Sequence, residues 1–204
     1  MSFWNKIFTF TRKREIVPPC IQEARIEIDA AIKTEKVKAN TEIKPWLSVS
    51  PLIRYELKSY QFSSRSKNML SQCHPDIQLV LNEAIKYIDF AVIEGWRVKD
   101  TQDKYFAKGA SKVKWPNSYH NTIVEHIKPE YRPENMNSAT ACSLAVDIIP
   151  SPLKSWDDYE AFAKLTAVIK AVAADMKIPL QNGYELWGWD YPHFQLTVYR
   201  RKKQ

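Results

Sequence analysis

The chain lacks long hydrophobic runs and has few cysteines. No stretch of its 204 residues approaches the roughly 18 uninterrupted apolar residues of a membrane span. The N-terminus also lacks the basic start, apolar run and small-residue cleavage site of a signal peptide. Cys20, Cys73 and Cys142 cannot all pair with one another, and no Cys-x-x-Cys pair is present. We therefore expect reduced thiols, no transmembrane segment and synthesis in the cytoplasm.

Acidic residues are outnumbered, which narrows the classes of partner. The 23 Asp and Glu residues face 30 Lys and Arg residues, so the formal net charge is +7 and the isoelectric point is about 9.2. Such a charge favours an anionic partner, which is nucleic acid, a membrane surface or the polyanionic bacterial wall. The aromatic residues lie in apolar runs rather than between Lys and Arg residues, so no nucleic-acid-binding signature accompanies the charge. We expect no nucleic acid among the partners.

Residues 1–14 form a short, basic, amphipathic segment. Four large apolar residues recur there at helical spacing among Lys and Arg residues, with no acidic residue before Glu15. The segment either packs as an arm on its own domain or on a partner such as the virion, or lies in a membrane interface. Further along, apolar residues at every third or fourth position predict a surface helix over 21–37. Pro45 and Pro51 then mark a linker.

The character of the sequence changes after this linker, so we expect an arm over residues 1–58 and one domain over residues 59–204. Residues 112–142 show no sustained period and contain three prolines, which predicts a long loop. Helices mixed with a few short strands indicate an α+β domain. Periodicity predicts a helix entered at Pro75, a strand over 90–93, a helix over 101–108, a strand over 144–149, a helix over 156–176 and a strand over 193–199.

Two residues of the predicted strands carry unusual chemistry. Asp147 ends the apolar run Leu144-Ala145-Val146-Asp147, and His193 stands at the mouth of the last strand. A carboxylate in so apolar a run needs a partner, because burying it unpaired costs several kcal/mol. A metal ion, a salt bridge or a helix-capping role would each satisfy Asp147.

Four segments resemble one family in the same order. They are FSSRSKNMLSQCHPDIQLVLNEAIKYIDFAVIEGWRVKDTQDKYFAKGAS at 62–111, NSYHN at 117–121, SLAVDIIPSPLKSWDDYEAF at 143–162 and WDYPHFQL at 189–196. Together they resemble the phage endolysins of the L-alanyl-D-glutamate peptidase and D-alanyl-D-alanine carboxypeptidase family. The resemblance implies an α+β fold in which helices flank a small antiparallel sheet that carries a zinc site, here with an N-terminal helical extension.

The resemblance also implies the residues of the site. His120, Asp147 and His193 would be the zinc ligands, and Asp190 would be the catalytic carboxylate. Two imidazoles and one carboxylate leave a tetrahedral Zn²⁺ one open position for water. Asp190 could accept the proton of that water and pass it to the leaving amine.

Two further residues are implied to contact the substrate. Arg97 matches the arginine beside the scissile carbonyl, where its permanent positive charge would stabilise the developing oxyanion. Ser118 would help to position the substrate.

The spacing of the implied ligands departs from the family pattern. His120 and Asp147 are 27 residues apart, whereas the family usually separates them by about one short turn. We interpret residues 122–141 as an insertion that projects outward, since the entropy of loop closure rises only slowly with length. The insertion contains His126, which is the competing candidate for the first ligand.

The resemblance implies a hydrolase that lyses the bacterial cell. We expect zinc-dependent cleavage of the L-Ala to D-Glu bond in peptidoglycan stem peptides by an endolysin made in the host cytoplasm and acting on the wall. D-Ala-D-Ala carboxypeptidase activity at the same site is the alternative enzyme. A non-catalytic wall-binding or virion structural protein that keeps the fold is the alternative from another class.

Overall fold

The computed structural model describes residue 58 and residues 60–201. The segment 1–14, the predicted helix over 21–37 and the predicted linker lie outside the described residues. The regular elements, in chain order, are α1 (Ser64–Leu70), α2 (Pro75–Ala84), β1 (Phe90–Glu94), α3 (Lys99–Ala107), β2 (Ala145–Pro150), α4 (Tyr159–Asp175), β3 (Gln181–Asn182), α5 (Gly183–Trp187) and β4 (His193–Gln195).

The helices begin at side chains that cap them. Ser63, His74 and Asp158 each accept a hydrogen bond from a backbone N–H in the first turn of α1, α2 and α4, at 3.1, 3.1 and 3.2 Å. Such capping satisfies one of the backbone donors that a helix start leaves without a partner. Because Asp158 is the cap, α4 begins three residues later than the predicted start at residue 156.

The four strands form one antiparallel sheet in the order β1-β2-β4-β3. Asp147 of β2 is paired with His193 of β4 on one side and with Glu94 of β1 on the other. The β1 register shifts between Val92 and Glu94, which brings Glu94 opposite Asp147. Directly paired residues point to the same face of a sheet. The register therefore lines up two carboxylates and an imidazole across three strands.

The core lies between the sheet and the helices. Ile148 and Phe194 of the sheet, and Leu165 and Ile169 of α4, are all almost fully buried. Helix α4 packs against both α2 and β2. The α+β architecture with a small antiparallel sheet is as predicted from the sequence. In the part of the chain that the structure describes, no helix has the length and apolar character needed to cross a membrane.

The segment 122–141 only partly follows the expectation that it projects outward: residues 134–140 are exposed, but the part up to Tyr131 is packed into the domain. Val124 and Ile127 are 3% and 0% exposed and belong to the main hydrophobic cluster. The ring of Tyr131 stacks on Tyr199 with centroids 4.0 Å apart, and Lys128 N donates to the Tyr199 carbonyl at 2.9 Å. Short 3₁₀ turns at Tyr119–Asn121, Val124–His126 and Pro129–Tyr131 replace regular helix in this region, which explains the missing period.

The ends of the last strand and several short elements also differ from prediction. Strand β4 stops at Gln195, and Thr197–Tyr199 forms a 3₁₀ turn instead of continuing the strand to residue 199. Helix α1, strand β3 and helix α5, which have only two to seven residues each, were not predicted from the sequence. Elements of that length are too short to show a hydrophobic period.

Candidate metal centre

Three side chains that are far apart in sequence meet at one end of the sheet. Asp147 and His193 face each other across β2 and β4, and His120 comes from the 3₁₀ turn Tyr119–Asn121. Ser118 caps this turn by accepting a hydrogen bond from His120 N at 3.2 Å. The turn is also tied to the segment after β1, because Arg97 N donates to the His120 carbonyl at 2.9 Å.

The facing atoms of the three residues form a nearly equilateral triangle. His120 Nε2 lies 3.3 Å from His193 Nδ1 and 3.3 Å from Asp147 Oδ1, and His193 Nδ1 lies 3.0 Å from the same oxygen. Zinc–ligand bonds of about 2.0–2.1 Å in a tetrahedron place neighbouring ligand atoms about 3.3 Å apart. The triangle has the dimensions of one face of such a tetrahedron, so these residues fit a zinc ion.

The histidine nitrogens that point away from the triangle, here called the outer nitrogens, explain why the inner atoms that form the triangle are available to a metal ion. His120 Nδ1 lies 2.7 Å from the Gly95 carbonyl, which can only accept, so Nδ1 carries the proton and donates it. The outer nitrogen of His193, Nε2, lies 3.0 Å from Gln195 Oε1 and donates to it. The inner nitrogens therefore point at a carboxylate oxygen, and the three inner atoms need either a further proton or a cation between them.

The electrostatics of the cluster favour charge separation. Burial alone would raise the pKa of Asp147, but the charges and hydrogen bonds of His120 and His193 outweigh it and hold that pKa well below its usual range. Burial would lower the pKa of His193, but the hydrogen bond and charge of Asp147 raise it to about 9. In the protein without metal, a proton on His193 thus satisfies the cluster, and a metal ion must displace that proton.

His126 is not part of this cluster. In the described residues, His120, Asp147 and His193 are the one group of three or more His, Cys, Asp or Glu side chains whose ligand atoms converge, all within 4.8 Å. His126 belongs to the next 3₁₀ turn, and its carbonyl accepts a hydrogen bond from Arg201 N at 3.0 Å. The geometry thus places His120, rather than its competitor, beside the other two candidate ligands.

Arg97 is buried beside the cluster and held from several sides. Its Nη2 forms an ion pair with Glu94 and lies 3.6 Å from Asp147 Oδ2. Its Nη1 donates to Gln102 Oε1 at 3.0 Å, and the guanidinium lies 4.7 Å from the centre of the Tyr105 ring. Burial opposes the charge of Arg97, but Glu94 and Asp147 outweigh it and raise the pKa. Arg97 Nε has no hydrogen-bond partner within the described part of the protein.

Asp190 stands in a constrained turn before β4. Its φ angle is +67°, a left-handed conformation that is uncommon for a residue with a side chain. Burial raises the pKa of Asp190 to about 6, against the opposing charge of His193. Gly183 makes room for this turn, because a Cβ atom there would lie 2.5 Å from the Asp190 carbonyl oxygen. Asn182 fixes the other side by donating to the Tyr191 and His193 carbonyls at 2.9 and 3.0 Å.

The cluster opens into a groove of about 390 Å³. Arg97, Ser118 and Asp190 line it together with the three candidate ligands. Several Tyr and Trp side chains also line the groove, and two of them, Trp187 and Trp189, are 47% and 41% exposed with ring centres 5.8 Å apart. The six residues that the family resemblance implies for the site therefore face one space, whereas His126 does not line it.

Several residues of the site were not singled out in the sequence. Glu94, Gln102 and Gln195 are polar side chains that hold Arg97 or His193, and Asn182 and Gly183 shape the turn that carries Asp190. The one local signal for them is a polar residue at the end of an apolar strand, as at Glu94 and Gln195. That signal does not indicate which partner the residue contacts.

These features define a small α+β domain with a His–Asp–His cluster, suited to a divalent cation, at the base of a groove. Comparison with known protein families matches residues 58–193 to the family described as phage L-alanyl-D-glutamate peptidase. The match spans most of the chain, so this protein belongs to that family. Membership of this family makes the protein a peptidoglycan hydrolase.

Comparison with individual proteins gives a similar solved structure. A search of curated protein sequences found no match. Among solved structures, the chain is similar to the L-Ala D-Glu endopeptidase ChiX of Serratia marcescens, with 25% sequence identity and a TM-score of 0.49. That similarity covers 69% of this chain and 92% of the Serratia chain.

Proposed function

We propose that this protein is a zinc-dependent endopeptidase that hydrolyses the L-Ala to D-Glu bond of peptidoglycan stem peptides, as a phage endolysin does in cell lysis. The observation that carries the proposal is the triangle of His120 Nε2, Asp147 Oδ1 and His193 Nδ1, with sides of 3.0–3.3 Å, at the base of a groove. Family membership supports the choice of bond.

The three ligands would hold zinc by one face and leave the opposite side to the groove. When bound, the ion would supply a Lewis acid that acidifies a water molecule and polarises the scissile carbonyl. Asp190 lines the same groove, and the charges of all three candidate ligands act on its pKa. A pKa of about 6 leaves this carboxylate mostly ionised at neutral pH, so it can accept a proton. Because this pKa lies close to the ambient pH, the protonated form can also release the proton again.

Asp190 is therefore the proposed general base and acid. It accepts a proton from the attacking water and delivers it to the amine of the departing D-Glu residue, which breaks the C–N bond. The left-handed turn at Asp190, packed against Gly183, holds this carboxylate in a fixed place. Such preorganisation is what proton transfer at a positioned side chain requires.

Arg97 is the proposed oxyanion partner. Glu94 and Gln102 engage its two terminal nitrogens, while Nε keeps an unused donor. A cation held in this way can stabilise the negative charge that develops on the attacked carbonyl oxygen. Ser118 lines the groove as well, and its observed contact is the cap on the His120 turn, so its substrate role would be added to a structural one.

The proposal is tested on purified protein and purified peptidoglycan. Metal analysis should find about one zinc ion per chain, and chelation should abolish hydrolysis. Mass spectrometry of the digest should find stem peptides with a new N-terminal D-Glu and L-Ala left on muramic acid. Release of terminal D-Ala would instead establish the carboxypeptidase alternative. Wall binding without any new amino group would establish the non-catalytic alternative.

A further inference from the structure

Gln195 contacts the candidate ligand His193 and has no role in the proposed reaction. It is 5% exposed and lies two residues further along β4, on the same side of the strand as His193. Its Oε1 lies 3.0 Å from His193 Nε2. Its Nε2 donates to Thr197 Oγ1 at 2.9 Å, in the 3₁₀ turn that follows β4. Both the oxygen and the nitrogen of the Gln195 amide thus have hydrogen-bond partners.

This contact bears on a choice that His193 must make. Once a metal ion has displaced its second proton, the imidazole carries one proton, on either Nδ1 or Nε2. Asp147 Oδ1 lies 3.0 Å from Nδ1 and would accept a proton placed there. That tautomer would prevent His193 from binding a metal ion, because Nδ1 would then have no lone pair to offer. An acceptor at Nε2 opposes it.

We propose that Gln195 is a positioning residue that holds the proton of His193 on Nε2 and so keeps Nδ1 free as a metal ligand. The Gly95 carbonyl performs the same task for His120 from the opposite side, at 2.7 Å from Nδ1. The two histidines therefore use different nitrogens toward the metal, and each is fixed by an acceptor behind it. Outer hydrogen bonds of this kind orient metal-bound histidines and raise their affinity for the metal. The inference rests on the proposed zinc site.

The test compares zinc affinity in three variants. Gln195→Leu removes the acceptor at similar size, whereas Gln195→Glu keeps an acceptor for His193 Nε2 and lets the Thr197 hydroxyl rotate to donate. Gln78→Leu is the matched control, because Gln78 Nε2 donates to the Cys73 carbonyl at 2.7 Å and does not line the groove. Zinc dissociation constants are measured on metal-free protein by competition with a chromogenic chelator, and folding is checked by circular dichroism.

We expect Gln195→Leu to weaken zinc binding about 10- to 100-fold, as outer-shell replacements do, and Gln195→Glu and Gln78→Leu to stay within about threefold of wild type. In zinc-loaded, ¹⁵N-labelled wild type, the His193 Nε2–H proton should be slowly exchanging, and it should lose this protection in Gln195→Leu. Unchanged zinc affinity in folded Gln195→Leu overturns the inference. If that variant does not fold, a loss of tenfold or more in Gln195→Glu overturns it instead. A wild type that binds no zinc refutes the proposed function itself, which separates the two failures.

Discussion

Gly183 offers the sharpest test of how the fold places Asp190. A methyl group at residue 183 would put Cβ 2.5 Å from the Asp190 carbonyl oxygen and 3.1 Å from the Cβ atoms of Asp190 and His193. The closest of these is a backbone atom, which cannot rotate away as a side chain can. Ordinary contact begins near 3.4 Å, so Gly183→Ala must push the Asp190 turn away by about 1 Å.

A displacement of this size has predictable consequences. Overpacking a tight contact costs about 1–3 kcal/mol of folding free energy. Moving a catalytic group by about 1 Å costs about a hundredfold in rate. We therefore expect Gly183→Ala to fold with a lower unfolding midpoint, to retain zinc, and to lose about a hundredfold in kcat/KM. The assay is the release of new amino groups from purified peptidoglycan.

Gly109→Ala is the control for a loss of stability alone. Gly109 has a φ angle of +72°, and a Cβ atom there would meet nothing within 4 Å. The substitution places a side chain in the left-handed region and should cost about 1–2 kcal/mol, while kcat/KM stays near wild type. If Gly183→Ala keeps kcat/KM within twofold of wild type, or if Gly109→Ala loses as much rate as Gly183→Ala, the argument from close approach is refuted.

Five other substitutions test the metal ligands, the general base, the packing of Ile127 and the pH dependence of stability. His120→Ala should remove zinc, whereas His126→Ala should leave zinc content and rate nearly intact; the reverse pattern would move the ligand to residue 126. Asp190→Asn should keep zinc yet lose about a hundredfold or more in kcat, as removal of a general base does, and a near-wild-type rate would require another base. Ile127→Ala should lower the free energy of unfolding by about 2–5 kcal/mol in urea titrations. A loss under about 0.5 kcal/mol would be typical of a surface residue and would mean that Ile127 is not packed in the core. Burial lowers the pKa of His74, so the neutral form is favoured in the folded state. Its contribution is present above about pH 6.5 and is lost as the pH falls below that value. His74→Asn should therefore lose less stability than wild type between pH 7.5 and 5 when both are unfolded in urea.

The amino-acid sequence alone was sufficient for the elements whose pattern is local. The helix entered at Pro75, the strands beginning near residues 90 and 145, and the helix ending near residue 175 all match within a few residues. Their apolar residues recur with a period that the chain itself specifies, and capping residues adjoin them in sequence. The resemblance of four segments in family order was also sufficient to assign five residues to one site, namely His120, Asp147, His193, Asp190 and Arg97.

Only the tertiary structure decided how those residues are partnered. Asp147 meets Glu94 and His193 because of a strand register with a local shift, and His120 meets His193 across 73 residues of sequence. The packing of Val124, Ile127 and Tyr131 into the domain and against the end of the chain is equally non-local, so a segment without period was expected to project outward as a whole. Contacts of this kind depend on which surfaces pack together, and packing is a property of the whole domain rather than of any one stretch of sequence.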